Sequence, residues 1–93
     1  MKTEKKIWVL RYSHEYGHDI NLYTTEEKAT AGLGEILDSY SNELHSACKG
    51  ATGGLAAWRK FRGYMRQERY WKAADIWMDW REEYFELYER VVN

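Results

Sequence analysis

Ile7-Trp8-Val9-Leu10-Arg11-Tyr12-Ser13-His14-Glu15-Tyr16-Gly17-His18-Asp19-Ile20-Asn21-Leu22-Tyr23-Thr24 decides the fold, because its centre, His14 to His18, spells H-E-x-x-H. In zinc peptidases that pattern lies on a helix, with both imidazoles facing one Zn²⁺ and the glutamate polarising the metal-bound water. The flanks here argue against a helix. Residues 7–13 and 20–24 are rich in β-branched and aromatic side chains, which favour strands. A three-residue loop, Glu15-Tyr16-Gly17, with Gly17 left-handed after a type I turn, would join them as a hairpin. That register predicts His14 opposite His18, Tyr12 opposite Ile20, Leu10 opposite Leu22 and Trp8 opposite Thr24. Other zincin parts are missing as well: the third histidine of the extended pattern falls at Thr24 and its glycine at Asn21, and Glu35 and Glu43 carry no motif that would make either a distal ligand. A zinc-dependent hydrolase at His14-Glu15-x-x-His18 is therefore the least favoured reading, and no metal or other cofactor is expected. His14, Glu15, His18 and Asp19 are expected to form a polar cluster at the hairpin mouth.

Ninety-three residues suffice for one domain, residues 1–93. Hydrophobic residues make up 44% and charged residues 31%, the balance of a folded chain rather than a disordered one. Five Trp and eight Tyr are first of all a means of filling a small core. Cys48 is the only cysteine, which removes intramolecular disulfides and redox pairs and fits a reducing, cytoplasmic setting. The apolar run after Lys6 stops at Arg11, too short for a signal peptide or a membrane span.

Thr24-Thr25-Glu26-Glu27 predicts a helix start, with Thr24 as N-cap and Glu27 closing a capping box. Ala29, Leu33, Ile36, Leu37, Tyr40, Leu44 and Ala47 then recur on one helical stripe to be laid on the sheet, with Glu27, Glu35 and Asp38 opposite. Gly32 and Gly34 within it predict close approach of a strand or a neighbouring helix. Lys49-Gly50-Ala51-Thr52-Gly53-Gly54 reads as a connector; no strand precedes it and no G-K-[ST] follows, as a phosphate loop would need. A second helix runs from Leu55 to about Gln67, with Arg59, Arg62, Arg66 and Arg69 lining one side and Gly63 a candidate bend. A third pattern covers Tyr70 to Arg81. From Glu83 to Val92 the period becomes alternating, with Phe85, Leu87 and Val91 on one side, and predicts a third strand. The fold expected is α+β: a small antiparallel three-stranded sheet, hairpin plus C-terminal strand, packed with two or three helices in the order β-β-α-α-α-β.

The net charge of −1 conceals segregation: residues 1–54 carry −2, residues 55–74 carry +5 and residues 75–93 carry −4. With no assembled catalytic set, this patterning points to a non-catalytic binding protein rather than an enzyme. Arg59, Arg62, Arg66 and Arg69 would engage an acidic partner, and Glu27, Glu35 and Asp38 a basic one. The same complementarity would serve a homodimer. Nucleic-acid binding through the basic helix 55–72 is the alternative, opposed by the acidic segments on both sides.

A strand ending in Ser13-His14, then Gly17-x-Asp19, a second strand, and a helix opening Thr25-Glu26-Glu27-x-Ala29 resembles small proteins of bacteriophages and other mobile elements that have no assigned chemistry. The resemblance covers about the first third of the chain. It implies a small α+β fold and a role as an inhibitor or regulator of a host defence complex, of the anti-CRISPR kind, acting by binding in the host cytoplasm and away from membranes.

Overall fold

The computed structural model describes residues 5–92. Strands β1 (Lys5–His14) and β2 (Gly17–Tyr23) form the hairpin; helices α1 (Glu26–Ser39), α2 (Ser41–Cys48), α3 (Gly54–Arg66) and α4 (Tyr70–Arg81) follow, and β3 (Tyr84–Val92) ends the described chain. The sheet is antiparallel with β1 in the middle, in the order β2-β1-β3. The α+β architecture expected from the sequence is present, including the third strand, with four helices instead of two or three.

The extra helix comes from a break at Tyr40, where the backbone turns to φ −108°, ψ 15°. Ser39, Ser41 and Asn42 surround it, side chains that compete for backbone hydrogen bonds and weaken a helix interior. The apolar spacing runs across the break undisturbed, so Leu37 and Leu44 are both fully buried and a hydrophobic pattern alone reads as one helix. The cap also moves by one position. Thr25, not Thr24, is the N-cap, and its Oγ1 accepts the Lys28 N–H at 3.1 Å; Lys28 Nζ reaches Thr24 Oγ1. The turn between α3 and α4 separates what could have been one rod, with Glu68 in the left-handed region at φ 57°.

The hairpin register also departs from expectation by one residue. The loop has two residues, Glu15 and Tyr16, so His14 pairs with Gly17, Ser13 with His18, Tyr12 with Asp19, Leu10 with Asn21 and Trp8 with Tyr23. Gly17 still takes the positive φ, 127°. A one-residue slip sends every β2 side chain to the opposite face. What holds this register is α1: Tyr23 now lies beneath it, and at Gly32 any Cβ would overlap the Tyr23 ring and hydroxyl. Gly34 gives room in the same way to Tyr70 of α4, whose ring atoms would lie 2.7–2.8 Å from a Cβ there. Gly63, by contrast, faces open space, and no neighbouring backbone approaches it.

The helices pack on one side of the sheet, α1 on β1 and β2 and α4 on β3, while α3 packs mainly against α2 and α4. The core lies between: Leu10, Tyr12 and Phe85 from the sheet; Leu33, Leu37, Leu44 and Cys48 from α1 and α2; and Phe61, Ala73, Ala74 and Trp77 from α3 and α4. Phe61 stacks on Trp58 and lies tilted against Trp77, and Tyr12 stacks on Phe85 at 4.6 Å. Two layers make a thin molecule, 59 × 29 × 17 Å. Its radius of gyration is 15.0 Å, against about 12 Å for a compact chain of this length.

Candidate functional site

The residues of H-E-x-x-H are separated by the sheet they sit on. His14 lies on the helix-covered face. Its Nδ1 accepts the Tyr16 N–H at 3.2 Å, so the proton is on Nε2, which donates to Asp19 Oδ2 at 3.0 Å. His18 lies on the open face with the opposite tautomer: Nε2 accepts from Arg11 at 3.0 Å and Nδ1 donates to Ser13 Oγ at 3.0 Å. The imidazole lone pairs that would bind a metal are engaged, and the two rings are directed to opposite sides. The expectation that His14 and His18 face each other is corrected by the two-residue loop, since positions 14 and 18 share a face only with the three-residue loop. Among the described residues no group of three or more His, Cys, Asp or Glu is placed to hold a metal ion.

His14, Glu15 and Asp19 instead border a cleft of about 640 Å³ between the hairpin mouth, α2 and the end of α4. Its floor is a buried carboxylate. Glu83, 7% exposed, accepts from the Tyr12 hydroxyl at 2.7 Å and the Trp77 indole N–H at 2.8 Å, both on Oε1, while Arg81 reaches Oε2 at 3.4 Å and Glu43 at 3.1 Å. Glu82, left-handed at φ 53°, turns the chain so that Glu83 points inward just before β3. Burial, and then the bond to Glu83, hold the Tyr12 hydroxyl far above its ordinary pKa. A tyrosine so raised stays protonated and donates, and Glu83 is occupied on both oxygens. This group therefore joins β1, α4 and β3. Sequence reading missed it because Glu83 sits among four acidic residues between 79 and 86 and carries no motif; only its place at the helix-to-strand change marks it.

The arginines and carboxylates selected by charge patterning mostly meet in one place. A groove of about 520 Å³ runs between α1 and α3, with Glu35 and Asp38 on one wall, Arg62 and Arg66 on the other, and Phe61, Met65 and Tyr70 as its apolar base. Arg59 is exposed on the same side of α3, a turn away. Arg62 lies over Trp58 at 5.7 Å, which orients its guanidinium. Arg69 falls outside α3, in the turn before α4, and its guanidinium lies 5.7 Å over Tyr64. Glu27 is not in the groove but borders a shallower hollow with Glu26, Glu68 and Tyr70. Among the described residues none of these four arginines forms an ion pair.

Burial pushes the Cys48 thiol above its ordinary pKa, which disfavours a reactive thiolate. No helix of the described residues is long and apolar enough to cross a membrane. Comparison of the chain with family models, with curated proteins and with solved structures gave no match.

Proposed function

We propose that this chain is a non-catalytic binding protein that seats a segment of a protein partner in the groove between α1 and α3. The observation that carries the reading is the pairing of opposite walls, Glu35 and Asp38 against Arg62 and Arg66, over an apolar base. A bipolar groove fits a partner segment with both signs of charge around a hydrophobic anchor. It suits nucleic acid poorly, because the carboxylate wall repels the phosphates that the arginines would attract. Arg59 and Arg69 extend the basic wall beyond the groove, and Glu27 lies farther along α1. The engaged histidines and the buried, fully bonded Glu83 support the absence of catalysis in this proposal. The likeness to mobile-element proteins directs the choice of partner to a host defence complex in the cytoplasm.

The test is capture from host lysate with three baits: wild type, Arg62→Glu/Arg66→Glu, and Glu35→Lys/Asp38→Lys. The reading expects one set of proteins retained by wild type and lost with either wall reversed. Equal retention by all three baits removes the groove from the binding surface. Fluorescence anisotropy with DNA and RNA at low salt is expected to give no binding; affinity that falls steeply with salt and is lost in Arg62→Glu/Arg66→Glu would establish the nucleic-acid alternative instead.

A further inference from the structure

We propose that the chain forms a two-fold dimer through the uncovered face of its sheet, the occupant of that face being a second copy of this chain. The alternation in β2 is the first ground. Facing the helices it places Asp19 and Asn21; facing away it places Ile20 and Leu22, which are 58% and 63% exposed. A strand with one dry and one wet face carries its apolar residues toward the core, and β2 does the reverse.

The neighbouring strands continue the pattern. Register puts Leu22, Val9 and Tyr88 in one row across the open face, with Ile7 beside Val9 on β1, Ile20 at the β2 end of the next row and Tyr84, 58% exposed, at the far end of β3. Val9 itself is only 5% exposed, so the apolar surface open to a partner is that of Ile20, Leu22 and Tyr84, which no element among the described residues covers.

The chain exposes more surface than a compact monomer of its mass: 6729 Å², against about 5,700 Å² for 11.2 kDa. The excess goes with the thin, two-layer shape, of which the uncovered sheet face is one part. A second copy is the occupant because the face complements itself: Glu86 stands beside Arg11 and between the levels of Tyr84 and Tyr88, Arg90 lies over Tyr88 at 5.4 Å, and among the described residues none of the three forms an ion pair. Acid and base on one face can each meet their opposite across a two-fold axis. Two sheets about 10 Å apart, with helices outside, give a four-layer α-β-β-α assembly. The groove between α1 and α3 lies in the helical layer, so the dimer leaves it free.

Sedimentation velocity from micromolar to sub-millimolar concentration is the test, with wild type, Ile20→Glu/Leu22→Glu, Tyr84→Glu, and Glu35→Lys/Asp38→Lys. Tryptophan fluorescence, to which the buried Trp77 contributes, reports folding in each. Wild type is expected at twice 11.2 kDa, and the first two variants at 11.2 kDa with native fluorescence. Tyr84→Glu lies on a different strand and serves if the double variant fails to fold. The proposal is overturned by a monomeric wild type throughout the range. It is equally overturned by a dimer that survives the sheet variants, or by one lost only when the groove wall is reversed.

Discussion

Replacing Glu83 by alanine strands two buried donors, the Tyr12 hydroxyl and the Trp77 indole N–H, that now share Oε1 at 2.7 and 2.8 Å. A buried donor without a partner costs about 1–3 kcal/mol. Arg81 keeps Glu43 at 3.1 Å, so no isolated charge remains, and the loss should stay within about 3–5 kcal/mol. A chain of this size is stabilised by roughly 5–14 kcal/mol in all, so Glu83→Ala is expected to lie near the edge of folding. Urea unfolding followed by tryptophan fluorescence reads the effect; with a slope of about 1–3 kcal/mol per molar, the midpoint should fall by roughly 1–5 M. Glu83→Gln retains an oxygen for both donors and presents its amide to Arg81, and should lose about 1–2 kcal/mol. A Tyr12→Phe/Glu83→Ala cycle should then give a coupling of about 0.5–3 kcal/mol. The reasoning fails if Glu83→Ala moves the midpoint no further than Glu83→Gln, since the donors would then not depend on the oxygen.

Gly34→Ala brings a methyl against the Tyr70 ring and should destabilise by about 1–3 kcal/mol, with partial recovery in Gly34→Ala/Tyr70→Leu, both read by urea midpoint. Glu68→Gly relieves a left-handed glutamate in an exposed turn and should raise the thermal midpoint, by about 0.5–1 kcal/mol in stability; a lower midpoint would refute it. Tyr12 has a folded pKa above its unfolded value of 10.0, so its contribution is complete below pH 10 and is lost as pH rises toward the raised value; the stability difference between wild type and Tyr12→Phe should shrink over that window. Elemental analysis of tag-free protein should find zinc well below one equivalent, and His14→Ala and His18→Ala should leave that content unchanged, because the two rings look to opposite faces.

How much could be read in advance follows from which signals are local. The strands around H-E-x-x-H, the period change at Glu83 and the glycine pair in α1 all depend on neighbours in sequence, and the chain reads correctly there. Hairpin register does not, because a two-residue and a three-residue loop both suit Glu15-Tyr16-Gly17 and both bring Leu10 and Tyr12 to the core. The choice is made by Tyr23 fitting beneath Gly32, a contact between two elements. The slip matters for function out of proportion to its size: it divides His14 from His18 and turns Ile20 and Leu22 outward. Likewise the charged stripes on α1 and α3 were legible separately, but that Glu35 and Asp38 face Arg62 and Arg66 across one groove required the packing of the helices.

Because β1 is the central strand and β3 closes its second edge, the order of synthesis and the order of assembly are opposed. The strand that must be flanked on both sides is made before the four helices, and one of its flanks after them. Tyr12 waits 71 residues for Glu83. Until residues 84–92 leave the ribosome, the hairpin has a bare row of backbone donors and acceptors beside apolar side chains, the arrangement that recruits other strands. A chain stopped before Tyr84 would therefore be expected to lose far more than one edge of the sheet: its central strand would stay open on one side, and it would pass into aggregates or to a chaperone.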